Sequence, residues 1–558
     1  MRAAAKVTAA WLLACLVLLP GFALTGLAGE PDPARRVPPL RFNVPSPKWS
    51  PDLFDMANIL RRQWEELGLE VKVEGFPMFT QWIARTGAAP HNWEAAMSTF
   101  LPREDRIDPD ALLYSLFHST YTRPGGRNVA GYQSERYDRV IEAQQRETDL
   151  KKRQALVHQA QEILAQELPA VTLPLGQVGT YYNHTRWKDL IDMPGRGQFN
   201  MWSLVNAKAL TRDRTLRVGH RVSFASLNPL TTLAPLDAQD MMRFWFDTLV
   251  RVGPDLEPKP WAAESWTMDN PTTITVKLRP GMKWHDGKPV TARDVKFTYE
   301  AFRDWKIVLY SAYLRPIKSV EAVDDLTVRF HLNSPYPAIF VTSFQTINLL
   351  PQHIWAGITE RHKVKHPGDI ADAPEIFIGS APLKLVRWRR NEDLILEKFD
   401  DHWAWKANPG PTLQRVVNIF YETMEARHTA LKTGAADVHW GSWPTTTHVE
   451  DARTVRHLTV SMAPNYGAAV VFFNLRRAPM NDLALRRALG STVDQDTMLK
   501  AILGGKGTKA FSPMSPALKT WSNPKVTRQF DMAKARQILK EAGYEWDSQG
   551  KLYSPARR

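Results

Sequence analysis

The stretch Trp261–Phe302 (WAAESWTMDNPTTITVKLRPGMKWHDGKPVTARDVKFTYEAF) commits this part of the chain to mixed α/β structure. Thr273–Leu278 alternates apolar and polar side chains and is rich in β-branched residues, the pattern of a half-buried strand. Arg279–Pro289, with Pro280-Gly281 and Gly287, reads as a turn-rich connector. Thr291 then stands at the N-cap of a helix. Asp294, three residues on, closes a capping box, and Val295, Phe297 and Phe302 form the apolar face.

The same grammar recurs elsewhere. Leu40–Val44 and Leu69–Val73 alternate as strands around an amphipathic helix, Pro51–Leu67, whose apolar residues Phe54, Ile59, Leu60, Trp64 and Leu67 are stopped by Gly68. That is a β-α-β unit. Phe79–Arg85 reads as a short helix, Trp93–Phe100 as a buried strand and Leu150–Gln166 as a helix. Ala170–Leu175 and Leu326–Leu332 read as strands, and Ala533–Ala542 as a helix.

A length of 558 residues gives room for roughly three or four domain-sized units. The net charge of +14 is spread along the chain, so it implies a solvated basic surface and no nucleic-acid partner. Arg2 and Lys6 precede an apolar run, Val7–Leu19, and Gly26-Leu27-Ala28 offers small residues for cleavage. This is an export signal over residues 1–28. Leu12-Leu13-Ala14-Cys15 is a faint lipobox, which leaves a lipid-anchored form as the alternative to plain cleavage. Cys15 is the one cysteine, so the mature chain has no disulfide, thiol catalyst or cysteine metal site. Sequence motifs for a serine hydrolase elbow, a zinc protease, a phosphate loop or a dinucleotide fold are missing, and the fifteen histidines lack metal-ligand spacing. The expectation is a non-enzyme with no cofactor and no metal. His285-Asp286 sits in a turn and is expected to serve local hydrogen bonding.

The run A-E-S-W, then L-R-x-G-x-K-W-H-D-G-x-P-x-T-A-x-D-V-x-F-T-Y-E, resembles the signature of the family 5 extracellular solute-binding proteins of ABC importers. So do Asn128–Pro174, Thr215–Gly219 with Ser226-Leu227-Asn228-Pro229, Ala430–Asp437 and Val470–Leu489. The resemblance implies an α/β fold of the two-lobed periplasmic-binding-protein type II (Venus flytrap), with an extra subdomain. It implies a monomeric periplasmic receptor for di- or oligopeptides that serves an ABC permease complex. Opines, nickel chelates and sugars remain open as ligands; a secreted hydrolase or a chaperone-like protein is the alternative outside the binding class.

The resemblance also implies site residues. Asp108-Pro109-Asp110 matches the family's D-P-D, which places Asp105 on the position that takes a peptide's ammonium, after a strand ending at Phe100. Arg103 and Arg106 flank it, so a ligand carboxylate or local neutralisation is equally open. Ala225 and Asn228, in Val222–Asn228, and Tyr466 and Gly467 are expected to face the cleft. Trp440 and Trp443 are candidate cleft or hinge aromatics. Ser380, Ala381 and Leu383 depart from the family's usual G-T-G-P-Y.

The family blocks run in a rotated order, C-terminal-like before N-terminal-like. Pro33-Ala34-Arg35-Arg36 recurs as Pro555-Ala556-Arg557-Arg558. The expectation is a circular permutant with the old termini fused near Ser203–Thr215. Residues 37–170 and 459–558 then form the second lobe, 171–250 and 376–458 the first lobe, and 251–375 the extra subdomain.

Overall fold

The computed structural model describes residues 30–556 apart from 78, 88, 124, 222–223, 231–235, 308–309, 407–409, 411 and 441–444. The expected export signal, Cys15, Val222-Ser223 and Trp443 lie outside the described residues.

The first strands laid down are β1 (Leu40–Pro45), β2 (Val71–Phe76), β3 (Ala95–Phe100) and β4 (Ala170–Leu173). The chain then leaves this body for β5 (Val178–Asn183) and β6 (Thr215–His220). Next come β7 (Ala263–Asn270), β8 (Thr273–Leu278), β9 (Ile317–Ala322) and β10 (Thr327–Leu332). β11 (Leu383–Arg389), β12 (Asp393–Lys398), β13 (Arg415–Phe420), β14 (Val438–Trp440) and β15 (Leu458–Ala463) follow, and β16 (Ala468–Phe473) returns to the first body.

Among the described residues these sixteen strands form three sheets, beside four small two-stranded pairs. One lobe has the order β2-β1-β3-β16-β4, the other β11-β12-β13-β6-β14-β5-β15, and the subdomain β7-β8-β10-β9. β1 and β2 run parallel with the helix Pro51–Glu66 between them, as the β-α-β pattern requires. β16 (AAVVFF) is buried at every residue, which suits a strand flanked on both sides, and it pairs antiparallel with β3 and β4. Trp64 packs 5.1 Å from Phe42 and 6.3 Å from Phe473 at the heart of that lobe. In the subdomain, Thr291 and Asp294 close the capping box on the helix Ala292–Asp304. His285 holds Gly379 through main-chain and ring hydrogen bonds, while Asp286 bonds His353 at 2.6 Å, so the pair has the local role expected.

The chain crosses between lobes twice, at residues 174–177 and 464–467. Asn465 Nδ2 donates to Gly176 O at 3.1 Å and ties the two crossings together. The sequence-based boundaries shift accordingly. Residues 171–173 still pair with β16, and β15 stays in the seven-stranded sheet through Ala463 by pairing with β5, beyond the division expected at 458. Strand pairing, and not the local pattern, sets these limits. The two ends of the described residues lie side by side: Ser554 N donates to Arg35 O at 2.8 Å, and Arg36 bridges Tyr553.

Candidate functional site

β3 ends at Phe100 and feeds the loop Leu101–Asp110, where the lobes meet. Every carboxylate of this loop is engaged. Arg196 donates to Glu104 from Nε (2.8 Å) and Nη2 (2.5 Å), and Arg243 Nη1 donates at 3.1 Å. Arg196 Nη1 also reaches Asp240 at 2.8 Å. Asp105 accepts from Arg103 Nε (3.0 Å) and from Tyr313 Oη (2.8 Å). Asp108 accepts from Arg153 Nη2 at 2.7 Å, and Asp110 from Tyr336 Oη at 2.8 Å and from Gln145. Arg196, Asp240 and Arg243 flank β6 on the far lobe, and Tyr313 and Tyr336 belong to the subdomain side. One loop is thus held from three directions.

Charge pairing, not solvent, keeps Glu104, Asp105 and Asp240 ionised. Burial alone would raise the Asp105 carboxyl, but Arg103, Arg106 and the hydrogen bonds from Arg103 and Tyr313 hold it well below the usual carboxylate range. Burial likewise opposes ionisation of Asp240, yet Arg196, Arg103 and Arg243 bring it down to about 2. Glu104 is lowered against burial by Arg196 and Arg243. Asp110 moves the other way: burial and then Asp108 raise it.

A cavity of about 60 Å³ opens beside this network, lined by Glu104, Arg196, Phe199, Asp240, Arg243 and Trp440, among others. Arg103 Nη1, Gln239 Nε2 and Tyr466 Oη, none of them on residues lining this cavity, are buried without a hydrogen-bond partner.

The sequence-based candidates divide. Phe100, Arg103 and Asp105 lie together on the loop, and Trp440 lines the cavity while stacking 4.7 Å from His220. Tyr466 and Gly467 form the second crossing. A Cβ on Gly467 would sit 2.4 Å from Phe100 O, so glycine permits the close approach of β16 to β3. Asn228 does not face the cleft: it is fully buried and spends its side chain on Pro367 O, Ile370 O and Leu230 N within one lobe. Ala225 is exposed beside it. Residues missed from sequence are Tyr313, Arg196, Asp240 and Arg243. No local motif marks them, because Arg196, Arg243 and Tyr313 meet the loop across 92 to 208 residues of chain and Asp240 is tied to it through Arg196. Among the described residues no group of three His, Cys, Asp or Glu could hold a metal, and no helix is long and apolar enough to cross a membrane.

Two lobes joined by two short crossings, with a polar site between them, define a type II binding protein. The model of the bacterial extracellular solute-binding proteins, family 5 (middle), matches residues 257–557, and the chain belongs to that family. Relatives include the oligopeptide-binding protein AppA of Bacillus subtilis (27% identical over 357 residues, 60% of this chain and 61% of that protein). Another is the glutathione-binding protein GsiB of Pectobacterium atrosepticum (27% over 339 residues, 60% and 62%). Among solved structures, the ABC transporter substrate-binding protein CtaP of Listeria monocytogenes is 25% identical with a TM-score of 0.50, over 59% of this chain and 65% of that one. The chain spans about three fifths of the length of the curated relatives it matches.

Proposed function

We propose that this chain is a periplasmic receptor that closes on a peptide-like solute and presents it to an ABC permease. The observation that carries the reading is the loop Leu101–Asp110, which follows β3 and is gripped at once by the far lobe and the subdomain. Closure around such a loop buries whatever lies against it, and a ligand stabilises that state by its differential affinity. β3 pairs with β1 only at Ala95 and Ala96, so the β1-facing edge of residues 97–100 has no strand partner among the described residues. An extended peptide can add there by main-chain hydrogen bonds. Asp105 keeps spare lone pairs on both oxygens, and a peptide ammonium fits it. Native mass spectrometry of solute co-purified with the protein tests the reading. An unmodified amine-bearing solute, bound at least tenfold more weakly by Asp105→Asn, is expected; turnover of the solute, or unchanged affinity in the variant, counts against it.

We propose further that the chain is circularly permuted. The reading is supported by the rotated order of the family blocks, by the adjacency of Arg35-Arg36 and Tyr553-Ser554 and by matches that run over only three fifths of the relatives. In this reading the old termini are joined near Ser203–Thr215, where the segment after β5 leads into β6.

A further inference from the structure

We infer that the solute carries an anionic group, and that Arg106 and Arg127 hold that group at the Phe100 end of β3. The inference rests on the receptor reading above and names the chemistry of its ligand.

The cations of the lobe interface fall into two sets. Arg103, Arg196 and Arg243 each have a carboxylate within hydrogen-bonding distance. Arg106 and Arg127 have no carboxylate within 4.0 Å among the described residues. Arg106 gives one hydrogen bond to Leu101 O at 2.7 Å, and the guanidinium keeps further N–H groups for another partner. Both guanidinium carbons instead stand over the same ring, at 5.9 and 5.8 Å from the Phe100 centroid, and so lie at most about 12 Å apart. Phe100 itself is buried. Two like charges beside one ring oppose each other, and the near environment adds to this. Burial pushes Arg106 down to about 10; Asp105 acts against that shift, while Arg103 and Arg127 add to it. Neither side chain is sealed in: Arg127 is exposed and Arg106 partly so, hence both are within reach of a solute. A carboxylate between them would take charge-assisted hydrogen bonds from both guanidinium groups and remove the repulsion. It would arrive beside the open edge of β3.

The anion could be a peptide's terminal carboxylate or an acidic side chain, and the test separates these. Three pooled tripeptide libraries are offered to the full chain and retained species are read by native mass spectrometry. The libraries have free C-termini, amidated C-termini with one Asp or Glu, and amidated C-termini with neutral side chains. Wild type is expected to retain free-acid or acidic members at least tenfold over the neutral amides, and whichever of the two dominates identifies the source. Arg127→Gln and Arg106→Gln should lose that preference, whereas Arg127→Lys should keep most of it. Arg127 is exposed, so its variants also serve should Arg106→Gln fail to fold. Equal retention of neutral amides, or an undiminished preference in Arg127→Gln, overturns the inference and leaves the receptor standing. Retention of no member at all removes the peptide-receptor reading, and this inference with it.

Discussion

Replacing Tyr313 by Phe deletes a single hydroxyl and leaves the ring in place. In the structure that hydroxyl donates across the interface to Asp105 Oδ2 at 2.8 Å, and Asp105 is only 7% exposed. With the donor gone, this oxygen stays buried in the closed form, while water satisfies it in the open form. Hydrogen bonds to charged groups contribute about 1.5–3 kcal/mol, so the closed-to-open ratio should fall by a factor of about 10 to 150. Asp105 is held far below the usual carboxylate range, so it stays charged and the effect should be constant between pH 5 and 8. Small-angle scattering of the unliganded protein should show a larger radius of gyration for the variant. Solute affinity should weaken by the same factor as the closed population. Tyr336→Phe, which removes the equivalent donor to Asp110, should act in the same direction. If the radius of gyration and the affinity both match wild type, the loop is not a closing contact and the reasoning fails.

Acid should destabilise the fold. Burial and then Arg427 lower His220 to about 3, and burial, Arg427 and His428 hold His439 well below the ordinary value of 6.5. The unfolded chain takes up these protons first, so stability is full above pH 6.5 and falls with pH at up to ~1.4 kcal/mol per pH unit for each histidine. Denaturant titrations at pH 7.5 and 5.5 check this; identical free energies would contradict it. Gly379→Ala places a Cβ 1.7 Å from Trp245 O and should lose at least the ~3 kcal/mol at the upper end of ordinary overpacking, seen as a lower denaturant midpoint. A chain rewired to begin at Thr211, pass from Pro555 through a short linker to Arg36 and end at Leu210 should fold and bind the same solute. A rewired chain that fails to fold would tell against the permutation.

What the sequence conveyed well was local. The alternation in Thr273–Leu278 and the Thr291/Asp294 spacing specify a strand and a cap through neighbours in the chain, and both stand where they were expected. The helix Pro51–Glu66 and the buried strand ending at Phe100 were legible for the same reason. The site was only half legible. The acidic run showed as a run, but its meaning depends on partners such as Tyr313, 208 positions away, which no local pattern announces. Asn228 illustrates the converse: its place in the family pattern suggested the cleft, yet its amide is consumed by main-chain groups around Pro367 and Ile370. The lobe divisions expected at 170 and 458 fall within β4 and at the start of β15, which pair with β16 and β5, although the sequence already reads Ala170–Leu175 as one strand.

The paired crossings have a mechanical consequence. Each spans four residues, and the Asn465–Gly176 bond makes them move as one pin, which resists sliding and leaves bending as the soft direction. Ala468, the first residue beyond one crossing, is paired with Phe100. A group held at Phe100 therefore sits on a short lever arm: as the lobes part it is displaced little, while the outer end of the same solute swings away. Release would proceed like peeling, from the rim inward, with the contact at Phe100 the last to break.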